Sequence, residues 1–277
     1  MKLYKVQNSV LVEKGGSYYP INRHEWDEVV NRDDLYAWLE AEIASISPVL
    51  FGAEEMPEVS APIGTQEIWA SGVTYFRSKE ARMEESEKAG GGSFYDRVYE
   101  ADRPELFFKS LAWRAVGDKG MVRIRMDSVW NVPEPELTLF ATSSGKLVGY
   151  TIGNDMSSRS IEGENPLYLP QAKSYSGSTA IGPCLLVPKE PLGPDTQIHI
   201  GIFRDAEEVF EGAVTIAQMK RKPEELLEYL FREMSFPAGV YLMTGTGIVP
   251  PSDFTLLSGD VIQITIGQIG VLTNVVA

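Results

Sequence analysis

Residues 134–155 read Glu134-Pro135-Glu136-Leu137-Thr138-Leu139-Phe140-Ala141-Thr142-Ser143-Ser144-Gly145-Lys146-Leu147-Val148-Gly149-Tyr150-Thr151-Ile152-Gly153-Asn154-Asp155. Two β-rich runs flank the turn signal Thr142 to Lys146, which predicts a hairpin. Pro135 disfavours a helix and places the first run at an edge or a bulge. Side chains two apart on a strand share a face, so Glu134 and Glu136 project together. A two-residue loop at Ser144-Gly145 pairs Ser143 with Lys146, so facing residue numbers sum to 289. Glu134 then lies opposite Asp155, and Glu136 opposite Gly153, which has no side chain. Three carboxylates in one patch repel one another across the strands. Two readings stand at this point. One is a site for a hard divalent cation, since two or three carboxylates with waters are the habit of Mg²⁺. The other is a solvated acidic strand edge.

The 277-residue chain is long enough for one large domain, or a large one with a small partner, and 43% apolar residues supply a core that needs no staples. A net charge of -14, spread from end to end, argues against nucleic acid and anionic membranes as partners. An anionic small molecule is still admissible, because a bound cation or a few lysines can reverse the field in one pocket. The one cysteine, Cys184, lies in an apolar run and reads as a buried strand residue. No apolar run approaches a membrane span, and the opening residues lack a signal-peptide core, so a cytoplasmic location is expected.

Residues 1–62 read as a small N-terminal α/β module and 63–277 as the main domain. Leu3 to Val12 is a strand or hairpin arm, Gly15-Gly16 a turn, and Asp33 or Asp34 caps a helix carrying Leu35, Trp38, Leu39, Ile43 and Ile46. Residues 52–64 have linker composition. Glu67 to Gly72 is a strand ending in small residues, Ser71 and Gly72, that allow close approach to the backbone. Phe76 to Ala89 reads as a polar helix stopped by Gly90-Gly91-Gly92, either a lid or a plain surface excursion. Leu106 to Phe108 is a strand with Glu105 and Lys109 at its ends, and Met121 to Met126 another. After Pro183 the chain is mostly β, except for a helix opened by Pro223 with Leu226, Leu227, Leu230, Phe231 and Met234 as its stripe. Thr244-Gly245-Thr246-Gly247 suits contacts to a carboxylate or phosphate. No dinucleotide or phosphate-loop glycine motif is present, and His24 and His199 read as structural.

Glu134-x-Glu136 followed by Asp155, with Gly149-Tyr150-Thr151 between, resembles the metal signature of the fumarylacetoacetate hydrolase family. The strand end Ser71-Gly72 and the late Thr244-Gly245-Thr246 are similar too, and the resemblance spans about residues 66–277. Arg103 to Lys109 and Glu164 to Lys173 resemble the branch of that family that dehydrates 2-keto-3-deoxy sugar acids. The resemblance implies a β-rich α+β fold, a mixed β-roll or sandwich, with Mg²⁺ (or Mn²⁺) held by Glu134, Glu136 and Asp155. It also implies a homodimer or homotetramer acting on a small 2-keto acid. Hydrolases and decarboxylases of the family resemble one another in using a lid histidine to activate water, and no histidine occurs between Tyr75 and Lys109.

A metal-bound 2-keto acid is primed to lose a proton from C3. A lysine beside the cation can accept it, because burial and positive charge both favour the neutral amine. The resemblance puts Lys173 in that place, with Glu105 as the acid that protonates the departing C4 hydroxyl. Ser71, Gly72, Tyr75, Lys109 and Thr246 are expected to orient the substrate. Two alternatives are a hydrolase or decarboxylase of a diketo acid or oxaloacetate, with Glu84, Glu85 or a lid lysine replacing the histidine, and a non-catalytic metal-binding protein.

Overall fold

Strands whose two faces are both apolar belong in the middle of a sheet covered on both sides, and the run Leu137 to Ala141 is of that kind. The computed structural model describes residues 1–7, 9–22, 24–51, 56–78 and 97–277. Its strands are β1 (Lys2–Val6), β2 (Ser9–Lys14), β3 (Ser17–Ile21), β4 (Val59–Ser60), β5 (Glu67–Gly72), β6 (Glu105–Leu111), β7 (Met121–Val122), β8 (Asn131–Val132), β9 (Pro135–Ala141), β10 (Leu147–Asp155), β11 (Ser157–Ser158), β12 (Thr179–Leu186), β13 (Gln197–Arg204), β14 (Glu207–Thr215), β15 (Val240–Met243), β16 (Val261–Ile266) and β17 (Gly270–Val276). Among the described residues, ten strands form one mixed sheet in the order β3-β2-β1-β12-β10-β9-β15-β5-β6, with β4 beside β1. Only β15 and β5 run parallel in it. A second sheet, β14-β13-β16-β17-β7, packs across one face. Leu137, Leu139, Tyr150 and Ile152 meet Ile198, Ile200, Ile262 and Ile264 there. On the opposite face Phe140, Tyr241 and Met243 pack with Val29, Val30, Leu35 and Leu39 from the helices Trp26–Val30 and Leu35–Ile43.

The β9–β10 register is the one expected, reached by a different route. Glu136 faces Gly153 and Tyr150 faces Leu139. The loop, however, holds three residues, closed by Thr142 N–H to Lys146 O at 2.9 Å and Gly145 N–H to Thr142 O at 2.9 Å. Gly145 takes φ +84° there, as the left-handed last position of such a loop requires. The longer loop shifts Ala141 onto Leu147, and a bulge between Leu147 and Gly149 shifts the register back. Two departures cancel before the acidic end is reached.

Residues 1–62 are hydrogen-bonded into the same sheet, with β1 pairing β12. Neither Asp33 nor Asp34 caps the helix Leu35–Ile43 through its side chain. Asp33 instead accepts from the hydroxyls of Thr142, at 2.5 Å, and Ser144, at 2.7 Å, tying the N-terminal segment to the β9–β10 turn. Two further expectations are corrected. The strand at Met121 ends at Val122, because the Arg123 N–H turns to Gly177 O at 2.9 Å. The helix opened by Pro223 ends at Phe231, leaving Met234 beyond it and partly exposed rather than in the stripe. The expected polar helix and glycine stop, including Glu84 and Glu85, lie outside the described residues except for Phe76 to Ser78.

A side chain at Gly153 has no room, since its Cβ would lie 2.3 Å from Thr138 Oγ1 and 3.0 Å from Met243 Cε. Gly153→Ala is expected to cost about 1–3 kcal/mol in a denaturant titration. Gly193→Ala, with nothing within 4 Å, is expected to stay within about 0.5 kcal/mol of the parent.

Candidate metal centre

The acidic ends of β9 and β10 are locked together by backbone. Glu134 N–H donates to Asp155 O at 3.2 Å and Asp155 N–H to Glu134 O at 2.9 Å. Glu134, Glu136 and Asp155 are all buried, and one carboxylate oxygen from each lies within 4.8 Å of the others. Oxygens on opposite sides of one hard divalent cation stand about 4.2 Å apart for Mg²⁺ and about 5 Å for Ca²⁺. The three carboxylates are therefore close enough to serve one such ion, closing by a few tenths of an ångström around the smaller. An exclusively carboxylate donor set suits such an ion and not a thiophilic one.

Burial of like charges needs compensation, and positive groups surround the triad. The Lys173 Nζ donates to Glu134 Oε2 at 2.6 Å, Ser157 Oγ at 2.6 Å and Asp155 Oδ2 at 3.1 Å. It comes from the end of the short helix Leu169–Lys173 and is fully buried. Arg159 reaches the other Glu134 oxygen at 2.5 Å and lies 3.9 Å from Glu162, another buried acid. Glu136 is served differently: its Oε2 accepts from Gly245 N–H at 2.6 Å. The glycine-threonine run thus does contact a carboxylate, the protein's own. Burial, then the charges of Asp155 and Glu134, push Glu136 well above the ordinary carboxylate range, while Lys173 and the Gly245 amide pull it back.

Lys109 lies within β6 and not at its end. Trp69 faces Phe108 and Ile68 faces Ser110, so Lys109 is the extra residue of a bulge, a device that re-aims a side chain. Its Nζ is 2.9 Å from Asp155 Oδ1 and also donates to Ser178 O (2.8 Å), Ser178 Oγ (3.1 Å) and the Lys173 carbonyl. Its Nζ is thus enclosed by protein oxygens, with the Asp155 carboxylate among them. Burial lowers the Lys109 ammonium below the usual lysine value, against the pull of Asp155.

Glu105 faces Gly72 across β5 and β6, and its Oε2 occupies the space a Gly72 Cβ would take, 2.1 Å from that point. The close approach expected at this strand end is therefore by Glu105. Ser71 Oγ donates to Met243 O at 2.9 Å, and Thr246 Oγ1 accepts from Ile248 N–H at 3.1 Å. Tyr75 is buried with no hydrogen-bond partner for its hydroxyl among the described residues, and burial followed by the Glu136 charge raises its phenol above the ordinary value. Arg159, Ser157 and Glu162 were not singled out from sequence. Their signal was proximity: a buried acid triad needs counter-charges, and Arg159 follows Asp155 by one helical turn's worth of chain. His199 sits on β13 beside Glu211 at 2.9 Å, away from this cluster.

Residues 144–277 match the family described as fumarylacetoacetate (FAA) hydrolase C-terminal. With this fold, and with a 44%-identical relative matched over most of both chains, the protein belongs to the fumarylacetoacetate hydrolase family. That relative, a "Probable 2-keto-3-deoxyxylonate dehydratase" of Haloferax volcanii, aligns over 237 residues, 85% of this chain and 81% of its own. The 2-dehydro-3-deoxy-D-arabinonate dehydratase of Saccharolobus solfataricus is 44% identical over 216 residues, 77% of this chain and 72% of its own. A solved structure, "2-keto-3-deoxy-D-arabinonate dehydratase complexed with magnesium and 2,5-dioxopentanoate", superposes with a TM-score of 0.84 at 34% identity, covering 100% of this chain and 98% of that one. No helix among the described residues is long and apolar enough to cross a membrane.

Because the folded-state value of Glu136 lies above its unfolded one, the stability this group contributes is present at low pH. It is lost as pH rises past the ordinary carboxylate range. In chelator, the difference in melting temperature between Glu136→Gln and the parent is expected to grow in favour of the variant from about pH 5 to pH 8. A pH-independent difference would show that Glu136 enters the fold fully ionised.

Proposed function

We propose that the protein is a divalent-metal-dependent dehydratase, a hydro-lyase that removes water from a 2-keto-3-deoxy sugar acid of the arabinonate or xylonate kind, acting in the cytoplasm. The observation that carries this reading is the seat of Lys173, an amine buried against two carboxylates of a three-acid centre. Both 44%-identical relatives are named dehydratases, and the solved neighbour holds magnesium and 2,5-dioxopentanoate. Glu134, Glu136 and Asp155 would hold Mg²⁺, with Mn²⁺ an acceptable substitute for an all-oxygen donor set. When bound, the cation supplies a Lewis acid to a 2-keto acid and so eases loss of a C3 proton.

The chain's own residues do the rest. Lys173 takes the proton from C3, and Glu105 gives one to the hydroxyl leaving C4. Ser71, Gly72, Tyr75 and Thr246 shape the place where the substrate lies, and Tyr75 brings a buried hydroxyl not used elsewhere among the described residues. Lys109 and Arg159 hold Asp155 and Glu134 in position. Charge supports the assignment. Four buried acids, Glu134, Glu136, Asp155 and Glu162, stand against three buried basic groups, Lys109, Arg159 and Lys173, and a divalent cation adds the positive charge that admits an anionic acid. The absence of histidine from residues 76–108 fits a reaction that needs no attacking water. Large exposed apolar side chains, Trp113, Met126 and Val129 among them, favour a homodimer or homotetramer that covers them.

Incubation with 2-keto-3-deoxypentonates, acylpyruvates and oxaloacetate, with Mg²⁺ and with chelator, tests the reading. Metal-dependent formation of 2,5-dioxopentanoate from the pentonate alone is the expected result. Cleavage to two acids would make the protein a hydrolase, and no product from any would make it a metal-binding protein. Lys173→Met is expected to lower kcat about a thousandfold while Mn²⁺ still binds. Near-normal turnover would remove Lys173 from the role of base.

A further inference from the structure

Two elements run from the metal centre to a single cavity. The helix Leu169–Lys173 carries Lys173 at the triad and Leu169 one turn away, about 6 Å along the axis. On β6, Phe107 places its ring centroid 5.9 Å from Lys173 Nζ, and Glu105 shares its face about 7 Å further along the strand. Leu169 and Glu105 both line a cavity of about 590 Å³, whose remaining walls include Val98, Pro104 and Leu167. Two of the polar members have contacts of their own. The Asn165 side chain accepts from Leu167 N–H at 2.9 Å, and the Arg103 guanidinium lies 5.6 Å from the centre of the Tyr229 ring. Beyond Glu105, Arg103 and Asn165, the wall is carbon.

We propose that this cavity is the distal specificity subsite, reading C5 of the substrate and whatever lies beyond it, and that Leu169 and Leu167 make it select an apolar terminus. The inference rests on the dehydratase reading. An acid anchored by C1 and C2 at the triad, with its C4 hydroxyl at Glu105, must send C5 and C6 toward these walls. The favoured six-carbon substrates are then 2-keto-3,6-dideoxyhexonates, which end in a methyl group, over 2-keto-3-deoxyhexonates, which end in a hydroxymethyl. The chemistry balances in either case. A C3 proton and the C4 hydroxyl leave as water, the C5 hydrogen is lost as a proton while C3 regains one, and the resulting enol becomes a carbonyl at C5. With a methyl terminus the product is 2,5-dioxohexanoate.

The test compares kcat/KM for 2-keto-3-deoxypentonate, 2-keto-3-deoxyhexonate and 2-keto-3,6-dideoxyhexonate, each as both C4 epimers, on the Mg²⁺-loaded protein. Parent enzyme should prefer the dideoxyhexonate to the hexonate by at least about tenfold, since a buried methyl is favourable and an unpaired buried hydroxyl is not. Leu169→Gln should bring the two within about threefold, mostly through KM. Leu167→Gln, at a mostly exposed rim position whose substitution leaves folding intact, should shift the ratio in the same direction. Equal use of both hexonates by the parent, or an equal fall for all three acids in both variants, would overturn the subsite while leaving the dehydratase reading in place. No dehydration of any of the three would overturn that reading and this inference with it.

Discussion

The pairing of Glu134 with Asp155 across β9 and β10 is the constraint on which the rest depends. Two reciprocal backbone hydrogen bonds fix it, so both carboxylates are delivered by main chain. A one-residue slip would turn every side chain of β9 to the other face, sending Leu137 and Leu139 out of the inter-sheet core and Glu136 into it. The hydrophobic pattern that holds the sandwich together therefore also holds the acids together. Stability and site share one register.

What that register creates is electrostatically expensive. Three carboxylates inside a low-dielectric wall demand partners, and the chain supplies them from four separate places: a strand bulge at Lys109, the start of one short helix at Arg159, the end of another at Lys173 and a backbone amide at Gly245. Each has its own anchor, and Lys109 also holds the Lys173 carbonyl. Lys109 is buried among carbonyls, and Gly245 is pinned at φ +88° where any Cβ would strike Thr74 Oγ1. Such a cluster is preorganised. Only its net charge is left for a cation and an anionic substrate to complete.

Much of this was legible in sequence, for reasons that differ by residue. The triad followed from strand periodicity and turn chemistry, even though the turn was one residue longer than expected and a bulge absorbed the difference. Lys173 could be placed only by family resemblance, because 18 residues of loop and short helix separate it from Asp155. Lys109 was read at a strand end because a bulge leaves no mark on the residue pattern. Asp33 looked like a helix cap, since Asp before an apolar run is a capping signal. Tertiary contact with the Thr142 and Ser144 hydroxyls takes its carboxylate instead.

The most direct measurement is anomalous diffraction from crystals soaked in Mn²⁺. A single strong peak is expected, bonded by oxygens of Glu134, Glu136 and Asp155, with Lys173 beside it and not among the ligands. An empty site, or carboxylates turned away toward separate partners, would contradict it.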